Sequence, residues 1–172
     1  MRTLAPQSKR DIIAGWLSSA GYLVTSSNTG LPSAANWGLL VTTPPPMQVK
    51  LRVIGLRGDK ITCNIAVSFS PRHRELVDKL GTEEKVKFSS ELMLKLLGIC
   101  PHCRIAIQGG LQAPQAVIAE ILLDEGELTK QRLLDDVARL VNIFLAVNSM
   151  LWSLFPREHT VRQKKEETPS FM

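Results

Sequence analysis

Apolar residues follow two different spacings along the first part of the chain, and each spacing predicts a type of element. From residue 8 to residue 20 they recur at helical intervals, and Ser8 can cap the start of that helix. Residues 22–25 and 37–43 are short runs rich in β-branched and aromatic side chains, which favours strands. The N-terminal quarter therefore predicts one helix followed by two strands.

The next two segments alternate strictly between apolar and polar residues. Residues 49–53 and 61–67 each place one apolar row on one face and one polar row on the other, with turn residues 57–60 between them. The polar row of the first segment carries Lys50 and Arg52. The pattern predicts an antiparallel hairpin with one buried face.

Helical and strand patterns then alternate up to residue 156. Ser70-Pro71 is a typical helix start, and a second helical stretch begins at Thr82. Residues 104–108 and 115–123 predict two paired strands, and residues 127–155 form the longest helical period, which Pro156 ends. These are two helices, a pair of strands and a long closing helix.

The order of the predicted elements indicates an α+β fold. We expect an antiparallel sheet of five to six strands backed by helices, in the order α-β-β-β(β)-α-(α)-β-β-α. Residues 1–156 are predicted to form a single α+β domain, and residues 157–172, which mix charges of both signs without an apolar period, a flexible C-terminal tail.

Composition fits a globular protein and adds few functional constraints. The chain of 172 residues is 44% hydrophobic and 22% charged, so it can bury a full core without a metal ion or a disulfide. With no export signal or long uncharged apolar segment, a cytoplasmic location is expected. An odd number of cysteines, three, fits a reducing compartment in which thiols stay free.

The tetrapeptide Cys100-Pro101-His102-Cys103 is the strongest candidate for chemistry. A C-x-x-C pair can be a redox disulfide or half of a zinc site. Here it follows a predicted helix, whose negative dipole end disfavours a thiolate, and the other zinc ligands are missing. It resembles the active-site motif of the periplasmic disulfide oxidases over four residues only. We therefore predict that both cysteines are protonated, unreactive thiols in a loop, and we predict no catalytic residue, cofactor or metal for the protein. Thiol-redox chemistry or zinc binding by Cys100 and Cys103 is the alternative.

The formal charge of +5 makes an acidic partner conceivable. Lys50, Arg52, Arg57 and Lys60 could contact phosphates, but no aromatic residue interleaves with them, so stacking on bases is unsupported. We expect these charges to keep one sheet face exposed to solvent or to protect an edge strand from pairing. Weak nucleic-acid binding is a second alternative for the function of the protein.

The closing helix is apolar on nearly all sides from residue 140 to residue 155, a stretch shorter than the roughly 20 residues of a membrane crossing. Burial within protein and no membrane insertion are therefore expected. Because a helix on one sheet shows one apolar stripe, the second stripe is predicted to contact another subunit. The candidate interface residues are Phe144, Val147, Leu151, Trp152 and Phe155.

Several features together resemble the small α/β fold of the type III secretion chaperones and of uncharacterised prokaryotic proteins that share it. They are Ile12-x-x-x-Trp16-Leu17, Gly21-Tyr22, the Ser70-Pro71 helix start and the long helix from Thr129. The resemblance implies dimers that bind a partner protein, and it carries over no catalytic residue. The expected function is a non-enzymatic, homodimeric protein-binding or chaperone-like module.

Overall fold

The computed structural model describes residues 8–156, and the predicted tail, residues 157–172, lies outside them. The predicted α+β class and element order are confirmed, with six strands and four helices in the described part of the chain. The elements are α1 (Lys9–Ser19), β1 (Leu23–Ser26), β2 (Ala35–Thr42), β3 (Lys50–Leu56), β4 (Lys60–Ser68), α2 (Pro71–Asp78), α3 (Thr82–Ile99), β5 (Arg104–Gln108), β6 (Ala116–Asp124), a 3-10 turn (Glu125–Glu127) and α4 (Lys130–Leu154).

Three helices begin at a capping side chain, and the sequence predicted two of these caps, Ser8 and Ser70. The side chains of Ser8, Ser70 and Thr129 each accept a hydrogen bond from a backbone N–H in the first turn of α1, α2 and α4. These side chains satisfy N–H groups that a helix leaves without an internal partner.

The strands form one antiparallel sheet in the order β1-β2-β3-β4-β6-β5. Strands β3 and β4 are therefore central, and the predicted role of the basic residues in protecting an edge strand is wrong. The pairing of β4 with β6 spans a long sequence separation, so the local pattern could not place these strands within the sheet.

The core lies between one face of the sheet and the helices. Alternate residues of the central strands are fully covered on this inner face, for example Val53, Cys63 and Ile121, and they pack in one cluster with Leu17 of α1 and Leu140 of α4. The indole ring of Trp37 lies on this face against Gly55, in the space that a β-carbon would occupy. The apolar rows predicted for the hairpin are confirmed as core residues.

The opposite, outer face of the sheet is covered only in part. Residues 27–34 fold back across it, with the Leu31 side chain against Gly38 and the Arg52 Nη1 donating to the Gly30 carbonyl at 3.1 Å. A β-carbon at Gly38 would lie 2.6 Å from the backbone carbonyl oxygen of Ser27 and 2.7 Å from a Leu31 methyl group, so this close approach requires glycine. In the described part of the chain, the buried helix residues pack in the core cluster with the inner-face residues.

Helix α4 is the longest helix described, with 25 residues. It meets the length and composition of a membrane-crossing helix, a test that the core helices of soluble proteins also pass. Here nine of its residues are buried and it packs against β4 and β6.

Candidate functional site

The Cys100–Cys103 loop lies where the sequence placed it, between a helix end and a strand. Helix α3 ends at Ile99, Cys100 forms its C-cap, and β5 begins at Arg104. The Cys103 N–H donates to the Cys100 carbonyl at 3.2 Å, which closes a tight turn. The first cysteine is therefore at the negative end of a helix dipole, not at the positive end that lowers a thiol pKa.

The two cysteines are joined by a disulfide, with Cα atoms 5.3 Å apart. The prediction that they remain free thiols is wrong, because the turn past the helix end brings their backbones within disulfide reach. That prediction relied on the compartment, the odd cysteine count and the helix dipole, none of which reports the distance between the two cysteines. Cys63, in the core side of β4, is the free cysteine among the residues described.

Access to the sulfur atoms is restricted. Cys100 is fully buried and Cys103 is 7% exposed. Because thiol–disulfide exchange requires an external thiolate to reach a sulfur, Cys103 is the only member of the pair open to attack. This burial is typical of a disulfide that holds structure together.

A buried carboxylate next to this loop was missed by sequence reasoning. Asp136 of α4 is fully buried, and its two oxygens accept from Arg132 Nε at 3.0 Å and from Arg139 Nη1 at 3.4 Å. His102 Nε2 lies 3.4 Å from the same carboxylate. The signal was present in the sequence, since Asp136 occupies a core position of the helical period with an arginine one turn away on each side.

The imidazole of His102 joins the disulfide loop to α4. Its Nε2 lies 3.9 Å from Cys100 Sγ and 3.2 Å from Arg139 Nη1. On the inner side of the same region, burial and secondarily the negative charge of Asp136 raise the pKa of the Cys63 thiol to about 12. Cys63 is thus a protonated core side chain, as predicted, and the region is an ion-pair network around a disulfide.

Residues 8–156 contain no group of three or more His, Cys, Asp or Glu side chains arranged to hold a metal ion. The zinc alternative would therefore require the disulfide to open and further ligands to be supplied from outside this region.

The five candidate interface residues separate into two groups. Val147 and Leu151 are buried in the core of their own chain, so they are withdrawn as interface candidates. Trp152 is 36% exposed, and Phe144 and Phe155 are half-buried. A helix that is apolar on nearly all sides gives no indication of which side faces the sheet, which is why the first two were misassigned.

The outer sheet face is the other feature that stands out. Its exposed apolar side chains include Leu23 of β1, 65% exposed, and Ile118 of β6, 41% exposed. Its polar residues are partly paired, with Arg104 3.9 Å from Glu120 and Lys60 3.9 Å from Asp124. Part of this face is therefore charge-neutralised and part is apolar.

Comparisons with known proteins define the family. The fold is similar to that of the crystal structure of an uncharacterized protein from Methanothermobacter thermautotrophicus, with 20% sequence identity and a TM-score of 0.74, covering 85% of this chain and 98% of that chain. No curated protein matches. The model of one family, described as "Uncharacterized conserved protein (DUF2299)", matches residues 9–151. The chain therefore belongs to the DUF2299 family of uncharacterised conserved proteins.

Proposed function

We propose that this protein is a non-enzymatic protein-binding module whose outer sheet face contacts the partner. The observation that carries the proposal is the one-sided architecture, in which the helices cover one face of the sheet and leave Ile118 and Leu23 exposed on the other. Exposed apolar side chains on a strand surface gain free energy when a second protein covers them.

The resemblance of the sequence to type III secretion chaperones leads to the same proposal. That fold class has an antiparallel sheet backed by helices on one face, and its members pair into dimers that bind a partner protein. The likeness rests on the order of elements and on features such as the Ser70-Pro71 helix start and the long helix after Thr129. A chaperone-like role is part of the proposal on this basis.

The proposal includes a homodimer formed through the helix layer. The outward sides of α3 and α4 expose Leu94 to 71% and Leu145 to 41%, and Trp152 of the original interface candidates lies on the same layer. A second copy would cover these side chains while leaving both sheet faces open to partners. Sedimentation over a range of protein concentrations should show a dimer that Leu94→Lys dissociates, and a monomer at all concentrations would contradict this part of the proposal.

Partner binding is tested with two variants that add the same charge at different places. Ile118→Lys alters the outer sheet face, whereas Gln131→Lys alters an exposed position of α4. Each variant and the wild-type protein would be immobilised and used to capture proteins from an extract of the native cells, which quantitative mass spectrometry would identify. One set of proteins captured by the wild-type protein should be lost with Ile118→Lys and kept with Gln131→Lys. Equal retention by both variants would reject the sheet face as the binding surface.

Thiol–disulfide exchange is a second candidate function, favoured by the Cys100–Cys103 disulfide and by His102 Nε2 at 3.9 Å from Cys100 Sγ. In this reaction a thiolate of an external dithiol would attack Cys103 Sγ, release Cys100 as a thiolate and form a mixed disulfide with Cys103. The second thiol of the reagent would then attack the reagent's own sulfur in that mixed disulfide, release Cys103 as a thiolate and leave the reagent oxidised to a disulfide. Rapid, reversible reduction of the folded protein by a dithiol would support it. Resistance of the disulfide until the chain unfolds would reject it.

A further inference from the structure

The outer sheet face contains a break in strand pairing with basic side chains beside it. Strands β3 and β4 pair only as far as Arg52 and Asn64, although β3 extends back to Lys50 and β4 continues to Ser68. Residues 65–68 of β4 consequently have no partner on β3. The two strands separate around a depression of about 380 Å³, which we call the β3–β4 notch, lined by Lys50, Arg52, Asn64, Leu40 and Ala66 among others.

The charges at the notch differ from those elsewhere on the outer face. Lys60 and Arg104 each lie within 4.0 Å of a carboxylate, whereas no described carboxylate comes that close to Lys50 or Arg52. The nearest acidic residue in the same cross-strand row, Glu120, lies two strands from Arg52 and accepts from Thr62 at 2.7 Å. The notch therefore keeps uncompensated positive charge on a chain that is already basic.

The surroundings of the notch are apolar and have the spacing of an extended chain. The sheet register continues from Ala66 to Ile118 and then to Ala106, which forms a row of exposed, uncharged side chains. The neighbouring row is polar and begins with Arg52 and Asn64, followed by Glu120 and Arg104. In an extended peptide, residues two positions apart point to the same face, so an acidic and an apolar residue at that spacing would meet the two rows. The peptide backbone could pair with the free side of residues 65–68.

We infer that the β3–β4 notch binds an acidic, extended segment of a partner protein. This inference rests on the proposed function and names the class of partner that the outer face selects. Nucleic acid fits less well, because none of the outward-facing strand residues described is aromatic and base stacking has no platform there.

The test uses a fluorescently labelled peptide in which Glu and Val alternate at every second position with Ser between them, so that both types face the same side, and fluorescence anisotropy is the readout. The wild-type protein should bind it, and Lys50→Gln/Arg52→Gln should weaken binding by about tenfold because two unpaired charges are removed. The matched control, Lys60→Gln/Arg104→Gln, removes two outer-face charges that already have carboxylate partners and should change affinity by less than about twofold.

Arg52 also holds residues 27–34 through Gly30, so a second measurement separates binding from folding. In two-dimensional NMR spectra of the wild-type protein, the peptide should shift the amide signals of residues 64–68, and Lys50→Gln alone should weaken binding while leaving the free spectrum otherwise unchanged. Shifts confined to the helices would overturn the inference.

Three further results would overturn it as well. The first is that the peptide does not bind at about millimolar concentration. The second is that both double variants lose the same peptide affinity, and the third is that an oligothymidylate binds more tightly than the peptide. If Ile118→Lys abolishes partner retention while the acidic peptide fails to bind, the proposed function stands and only the partner class is wrong. If Ile118→Lys has no effect on retention, the proposed function itself is rejected.

Discussion

The network around Asp136 makes a strong prediction about stability. Asp136 is fully buried, while the side chains of Arg132 and Arg139 are 46% and 42% exposed. Replacing both arginines with methionine keeps most of their aliphatic volume but leaves a buried carboxylate facing only His102. Removing the partners of a buried charge typically costs about 3–5 kcal/mol, so Arg132→Met/Arg139→Met should lower the free energy of unfolding by that amount.

The reverse substitution should be milder. Asp136→Asn removes the buried charge, and both arginines can turn to solvent because they are already partly exposed. The loss is then that of hydrogen bonds to a charged group, about 1.5–3 kcal/mol. Combining all three substitutions should bring stability back towards that of Asp136→Asn alone, since no unpaired buried charge remains.

Urea unfolding followed by circular dichroism measures these differences. Lys87→Met is the matched control, because Lys87 lies 4.0 Å from Glu91 in an exposed pair of α3 and should change stability by less than about 0.5 kcal/mol. Additive losses in the triple variant, or a larger loss in Asp136→Asn than in the double arginine variant, would refute the reasoning.

Three other perturbations give clear expectations. Cys100→Ser/Cys103→Ser should lower the free energy of unfolding by about 2 kcal/mol, since the four-residue disulfide loop restricts the unfolded chain only modestly. The same loss should appear when the wild-type protein is unfolded in the presence of a reductant. Gly55→Ala should lower the free energy of unfolding in urea by about 1–3 kcal/mol because its methyl group would clash with the indole ring of Trp37. Gly15→Ala, which has open space around the new methyl group in α1, should raise it by about 0.5–1 kcal/mol. Similar effects at both sites would contradict the packing. Burial, and secondarily the charge of Arg72, lower the pKa of His73 in the folded protein. Below about pH 6.5 the unfolded chain therefore binds more protons at this histidine than the folded chain does. The free energy of unfolding should fall from pH 7 to pH 5 more in the wild-type protein than in His73→Phe.

Local pattern was sufficient for the elements of this fold. The caps at Ser8, Ser70 and Thr129, the alternation of the hairpin and the position of the cysteine loop after α3 are all set by neighbours in sequence. Each depends on hydrogen bonds or side-chain alternation within a few residues, which a single sequence displays directly.

Features that depend on distant contacts could not be obtained in this way. The interior position of β4 follows from the β4–β6 pairing, and the burial of Val147 and Leu151 follows from how α4 is rotated on the sheet. The contact between Asp136 and His102 joins two segments far apart in the chain. The spacing of apolar residues indicates whether a residue lies on the buried or the exposed face of its own helix or strand. It does not indicate which residue of another element contacts it.

The most direct measurement of partner binding by the outer sheet face is a photo-cross-linking comparison in the native cells. A photoreactive amino acid would replace Ala66 or Ile118 on the outer face in one set of proteins and Asn142, an exposed residue of α4, in another. We expect the same partner protein to be cross-linked from both outer-face positions and not from Asn142. A partner cross-linked from Asn142 and from neither sheet position would contradict the assignment of the outer face as the binding surface.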